Sequence, residues 1–171
     1  MVFEYCKHAS RVSKIAFGYE NIATSSDNVL HIWTPYDDAP AFDSEVGHSS
    51  NITCVCFSED ASKVVTADES QAIVWDAKLG IILKQIWGRG FKSVAISPDG
   101  LQLACGCGDK IEICDLQTGK LTKTLKQEAV VIEYANDDSN AIIAHFGKDS
   151  FAKVSLDTEE VLESGNAKYE L

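Results

Sequence analysis

Four segments of this 171-residue chain recur at nearly constant distance. LHIWT carries Trp33, AIVWD carries Trp75 and Asp76, IEICD carries Cys114 and Asp115, and the weaker AKVSL puts Val154 in register. The steps are 42, 39 and 40 residues. A second set confirms the period independently: VSKIAF, ITCVCF, FKSVAI and VVIEYA end at Phe17, Phe57, Ile96 and Ala135, with steps of 40, 39 and 39. A repeat of about 40 residues built from short strands predicts a β-propeller with one blade per unit.

The second unit is the clearest. GHSSN leads into ITCVCF, which alternates with a two-residue period and is rich in β-branched and aromatic residues. Turn SEDAS, strand KVVTA, turn DESQ, strand AIVWD, turn AKLG and strand IILKQI follow. Four short strands joined by polar turns predict an antiparallel meander. The third unit repeats it with FKSVAI, LQLAC, KIEIC and KLTKTL, its Ser97–Gly100 turn combining a proline that fixes φ with a glycine that tolerates positive φ. The first unit offers RVSKIAF, NIATSS and VLHIW, then an acidic stretch from Tyr36 to Glu45 read as a connecting loop. The fourth offers VVIEYA, AIIAH and FAKVSL. No stretch holds a 3.6-residue period, so the expectation is all-β: a repeat domain over 1–164, with units near 1–41, 42–80, 81–120 and 121–164, and a tail at 165–171.

Charge narrows the partners. Fifteen basic against 26 acidic residues give −11, which repels phosphate backbones and anionic membranes. The N-terminus lacks the apolar core of a signal peptide, and the expected location is cytoplasmic. Six cysteines, Cys6, Cys54, Cys56, Cys105, Cys107 and Cys114, are then expected as free thiols. Two C-x-C pairs fall inside predicted strands, where residues two apart share a face and pack, rather than on turns with zinc-ligand spacing. No metal and no cofactor are expected.

The chain resembles the WD40-repeat family along essentially its whole length. The resemblance rests on Gly47-His48, Phe57 to Asp60, Ser97-Pro98-Asp99-Gly100 and Trp75-Asp76, with 27 residues from His48 to Trp75 and 25 from His8 to Trp33. It implies a hydrogen-bonded tetrad in two units: His8, Thr24, Asp27 and Trp33, then His48, Thr66, Asp68 and Trp75. Such a chain gives a buried indole N–H its acceptor. The third unit has Trp87 and Cys114 where His and Trp are expected, and loses the network. The stretch from Gly47 to Gly100 is more narrowly similar to units of echinoderm-microtubule-associated-protein-like and flagella-associated WD proteins. That similarity implies a structural role on microtubules or axonemal complexes, in the cytoskeleton or cilium, bridging rather than touching acidic tubulin.

Four units leave a propeller partial or open, whereas the family usually needs around seven. Three closures were open: a longer propeller of which this is half, a four-plus-four dimer, or blades supplied by another chain. EEVLES is expected to be the outer strand of a further blade, and VFEYC the outer strand ahead of His8. The resemblance implies a non-catalytic scaffold that binds proteins or peptides through rim loops. Candidate contacts are Arg11, Asn51, Trp87, Arg89, Phe91 and Lys92, with packing against the neighbouring blade as the other reading of Trp87 and Phe91. The competing class is a propeller enzyme with a site at the channel mouth. The chain contains no G-x-S-x-G, H-E-x-x-H or G-x-x-x-x-G-K-[ST]. No catalytic residue is expected, and His48 with Asp68 reads as a staple rather than an acid–base pair.

Overall fold

The computed structural model describes residues 8–34, 42–44, 47–135, 138–146 and 150–166. Among them there is no helix, and sixteen strands form four antiparallel sheets of four. Sheet I holds β1 (Lys14–Phe17), β2 (Ile22–Ser26), β3 (Val29–Trp33) and β4 (Phe42–Ser44). Sheet II holds β5 (Cys54–Phe57), β6 (Lys63–Ala67), β7 (Gln71–Asp76) and β8 (Ile82–Trp87). Sheet III holds β9 (Ser93–Ile96), β10 (Gln102–Gly106), β11 (Ile111–Asp115) and β12 (Leu121–Leu125). Sheet IV holds β13 (Val131–Ala135), β14 (Asp138–Phe146), β15 (Ser150–Ser155) and β16 (Val161–Asn166). Each is a simple meander, and the first strands β1, β5, β9 and β13 lie side by side in chain order. These are the blades of an open propeller.

Two expectations change. EEVLES was assigned to a further blade, but β16 pairs with β15 and completes sheet IV. The same rule holds throughout: the unit cuts near 80 and 120 fall just ahead of β8 and β12, which pair with β7 and β11 of the preceding unit. The acidic stretch read as a loop contains β4, three residues paired to Leu30, His31 and Ile32. Its low strand propensity hid it. VFEYC, Cys6 and most of 165–171 lie outside the described residues.

The core is three inter-sheet layers rather than one central mass. Ala23, Leu30 and Ile32 of sheet I meet Val64, Ile73 and Trp75 of sheet II. On the other face of sheet II, Val65, Ala67 and Val74 meet Val94, Leu103 and Cys105 of sheet III. Ala104, Ile111 and Ile113 then meet Ile132, Ile142 and Val154 of sheet IV. Alternation along each strand produces this, because successive side chains point to opposite faces. A middle strand covered on both faces becomes apolar along its length, as AIVW is, and VVTA departs from this only at Thr66.

A repeated backbone bond locks the stack. Ile52 N–H donates to Asp27 C=O at 2.7 Å, Gly90 N–H to Glu69 C=O at 2.8 Å, and Ala129 N–H to Gly108 C=O at 3.2 Å. In each case the loop leading into one sheet binds the second hairpin turn of the sheet before it. At the opposite end, a serine–aspartate pair rigidifies the first hairpin turn. Ser58 Oγ donates to Asp60 at 2.6 Å and accepts from Lys63 N–H at 3.0 Å. Ser97 Oγ donates to Asp99 at 2.6 Å and accepts from Gln102 N–H at 2.9 Å.

Candidate interaction surface

In sheet II the buried polar residues form one chain. Trp75 Nε1–H donates to Thr66 Oγ1 at 2.7 Å, and Thr66 lies 2.6 Å from His48 Nε2. His48 Nδ1 lies 2.9 Å from Asp68 Oδ2, and Asp68 Oδ1 accepts from the N–H groups of Ser70 and Gln71 at 2.7 and 2.9 Å. One proton assignment satisfies every member. Thr66 accepts from the indole and passes its own proton to Nε2, so Nδ1 carries the imidazole proton toward Asp68. Burial holds the His48 pKa below its ordinary value despite Asp68. Burial also pushes the Asp68 carboxyl up, but the N–H of Ser70, His48 and the Ser70 hydroxyl outweigh it and hold the pKa at about 2. The pair is a neutral imidazole on a carboxylate, sealed from solvent. Gly47 allows the loop to lie against Trp75: its φ is 146°, and a Cβ there would stand 2.8 Å from Cη2 of the ring.

Sheet I brings together three of its four expected residues. Trp33 Nε1–H and His8 Nε2 each meet Thr24 Oγ1 at 2.7 Å. Asp27 is not brought in: it is exposed in the β2–β3 turn with φ of 51°, and among the described residues no hydrogen bond joins its carboxylate to His8. The register explains the difference, since one residue earlier Ser26 occupies the buried position that corresponds to Asp68. His31 fills the remaining space, stacked on His8 at 4.1 Å between ring centroids.

The rim candidates separate into surface and interior. Arg11, Asn51, Arg89 and Lys92 are exposed on the segments leading into β1, β5 and β9. Trp87 is 71% exposed at the end of β8. Phe91 has to be removed from the contact set: it is 2% exposed and packs among Val65, Ala67 and Val94. Gly88 lies flat against the Phe91 ring, where any Cβ would collide. Of two aromatics four residues apart, one anchors the loop to the core and the other is held outward.

Trp87 borders a groove of about 770 Å³ between sheets II and III. Gly88, Arg89 and Ile86 line one wall, and Lys110, Glu112 and Cys114 the other. The thiols differ in environment: the contact with Cys105 holds Cys114, on the groove wall, below its ordinary pKa, and the other described thiols are raised. Burial pushes Cys107 up to about 12, Cys54 up to about 11 and Cys56 up to about 12. Among the described residues, no three metal-ligating side chains converge. Sequence reading passed over a charge partition at this place. Residues 78–126 hold eight Lys or Arg and four Asp or Glu, a local balance of +4 in a chain of −11. Among the described residues, no helix is long and apolar enough to cross a membrane.

Residues 43–76, which end at Asp76 of β7, match the WD40 family, described as "WD domain, G-beta repeat". Curated relatives include the Arabidopsis thaliana Transcriptional corepressor LEUNIG_HOMOLOG, 24% identical over 136 residues, covering 78% of this chain and 17% of that protein. The Cilia- and flagella-associated protein 251 of Mus musculus is 39% identical over 66 residues, covering 34% of this chain and 5% of its own length. Its counterpart from Chlamydomonas reinhardtii is 39% identical over 64 residues, covering 34% and 8%. The chain thus spans less than a fifth of each relative. It carries a WD40 repeat over residues 43–76, and its four sheets are four-stranded antiparallel meanders consistent with propeller blades of that kind.

Proposed function

We propose that this chain of WD40-type blades is a non-catalytic interaction scaffold that holds partner proteins at the end of the stack marked by Trp87. One observation carries the reading. Trp87 is 71% exposed on a loop fixed from below by Phe91 and flanked by exposed Arg89 and Lys92. Trp and Arg are the residue types that dominate binding energy at interfaces, and a loop rigid before contact loses little entropy on binding. The side chains of the His48–Asp68 pair are sealed from solvent, so the pair suits a structural task better than proton transfer to a substrate.

The test compares the proteins retained by the immobilised chain with those retained by an Arg89→Glu, Lys92→Glu double variant and by Lys78→Glu at the other end of sheet II. Loss of a specific partner in the double variant alone supports the reading. Equal retention by all three moves the contact elsewhere.

A second reading is a bridging component in a ciliary or flagellar assembly, favoured by the similarity of about a third of the chain to Cilia- and flagella-associated protein 251. Localisation of the tagged chain in ciliated cells tests it, and a signal confined to the cell body counts against it.

A further inference from the structure

The groove beside Trp87 has a definite origin in the repeat. A shift of 39 residues carries β6 and β7 of sheet II onto β10 and β11 of sheet III. The cross-strand registers then coincide: Val64 opposite Trp75 becomes Leu103 opposite Cys114, and Thr66 opposite Ile73 becomes Cys105 opposite Glu112. The same shift turns His48 into Trp87, Asp68 into Cys107 and Gln71 into Lys110. Of these, Trp87, Cys107, Lys110, Glu112 and Cys114 line the groove. The positions that form a sealed network in sheet II therefore form an open cleft in sheet III. A thiol has replaced an indole on its wall, and the ring at the imidazole position has swung outward.

The cleft has the chemistry to accept what was lost. Its apolar surface comes from Ile86, Leu121, Cys107 and Cys114, and Gly88, Gly90 and Gly119 keep its walls low. Its volume of about 770 Å³ exceeds an aromatic side chain, so neighbouring residues of an extended segment fit as well. Glu112 is ion-paired to Lys110. Arg89 and Asp109 are both exposed and both line the cleft, and Lys92 reaches alongside Gly108 in the β10–β11 turn. Arg89 and Lys110 balance Asp109 and Glu112 in its lining, and Lys84 beside Gly119 and Lys92 beside Gly108 add positive charge there, in a chain of −11. An acidic ligand is drawn to this place and repelled from most others.

We infer that the cleft between sheets II and III binds an acidic, extended segment of a partner protein that inserts one bulky aromatic side chain over Cys114 and against Trp87. This rests on the scaffold reading and gives it a partner chemistry and a seat. Nucleic acid fits worse, because the chain as a whole is acidic and a duplex backbone extends far beyond the patch.

The test is a displayed library of random 12-residue peptides selected on the purified chain, with counter-selection on Cys114→Trp. That substitution restores the residue of sheet II and fills the cleft. Enriched peptides are expected to share one Trp, Tyr or Phe flanked by Asp or Glu. They should bind Cys114→Trp and the exposed-site variant Arg89→Glu at least about tenfold more weakly, a loss in the range of a single interface anchor. The Arg89→Glu arm stands by itself should Cys114→Trp misfold. Enrichment of basic peptides, enrichment that survives both variants, or no enrichment overturns the inference. So does a dimer that Arg89→Glu or Cys114→Trp makes monomeric, since the occupant would then be a second copy of this chain. The capture experiment on the double variant judges the scaffold reading separately: a partner retained through the rim without any acidic-peptide binding keeps that reading and discards this one.

Discussion

Cys114 stands in sheet III where Trp75 stands in sheet II, each one position before the aspartate that ends its strand. Each side chain points toward the preceding sheet. Trp75 is 1% exposed and closes the space between sheets I and II, whereas Cys114, 4% exposed, is smaller and borders a cleft between sheets II and III. The same backbone register thus makes a stabilising joint in one repeat and a binding candidate in the next.

Removing the joint should be costly. Trp75→Ala deletes a fully buried indole and leaves Thr66 without its donor, so a loss of about 3–5 kcal/mol is expected. Cys114→Ala should cost far less, about 1 kcal/mol, because little packed volume is removed. Denaturant unfolding of both variants checks the contrast, and equal losses would mean that the repeat register is misassigned.

Gly47 and Trp75 should be energetically coupled. Gly47→Ala places a Cβ against the indole at a backbone angle that side chains avoid, and should destabilise by about 1–3 kcal/mol. In a Trp75→Phe background the ring no longer reaches the new methyl, and the same change should cost measurably less. A double-mutant cycle reads the difference.

Acid should loosen the second sheet in two stages. The folded chain holds His48 below its ordinary pKa, so the unfolded chain binds the extra proton first and stability falls as pH drops through about 6.5. Asp68 and Asp60, both held at about 2, keep their contribution until pH falls below about 4 and lose it toward 2. His48→Gln should lower stability by about 1–3 kcal/mol at neutral pH and flatten the slope between pH 7 and 5. A slope identical to that of the parent chain would show that His48 does not carry the first stage.

Four of the thiols should be slow to react. Cys54, Cys56 and Cys107 sit at about 11 to 12, and Cys105 is fully buried, so few are thiolates at neutral pH. Alkylation read by mass spectrometry should modify these four only after unfolding. Fast labelling of Cys56 in the folded chain would contradict a thiol pKa raised to about 12.

Much of the architecture was legible because the repeat writes itself twice, in the strand-ending residues and in the turns. The partners of Trp75 could be named from the resemblance to the WD40 family, and the need of a buried indole for an acceptor explains why they are there. Asp27 could not be separated from Ser26, because one residue of turn geometry decides which of the two faces inward. Phe91 and Trp87 look alike in sequence, and only the close approach of Gly88 to the Phe91 ring shows which is buried. The cleft was invisible as a motif because it arises from a volume difference between equivalent positions. The basic balance of 78–126 was readable, and Arg89 and Lys110 of that segment line the cleft.

Binding through the Trp87 end is tested most directly by photo-cross-linking from two positions of sheet II. A photoreactive side chain at position 87 sits on the proposed surface. The same group at position 79, where Leu79 is also well exposed, sits at the other end of β8, about 20 Å away by strand rise. Cross-links to a protein partner from position 87 and not from 79 are the predicted result. Cross-links from 79 alone, or equally from both, would contradict the account.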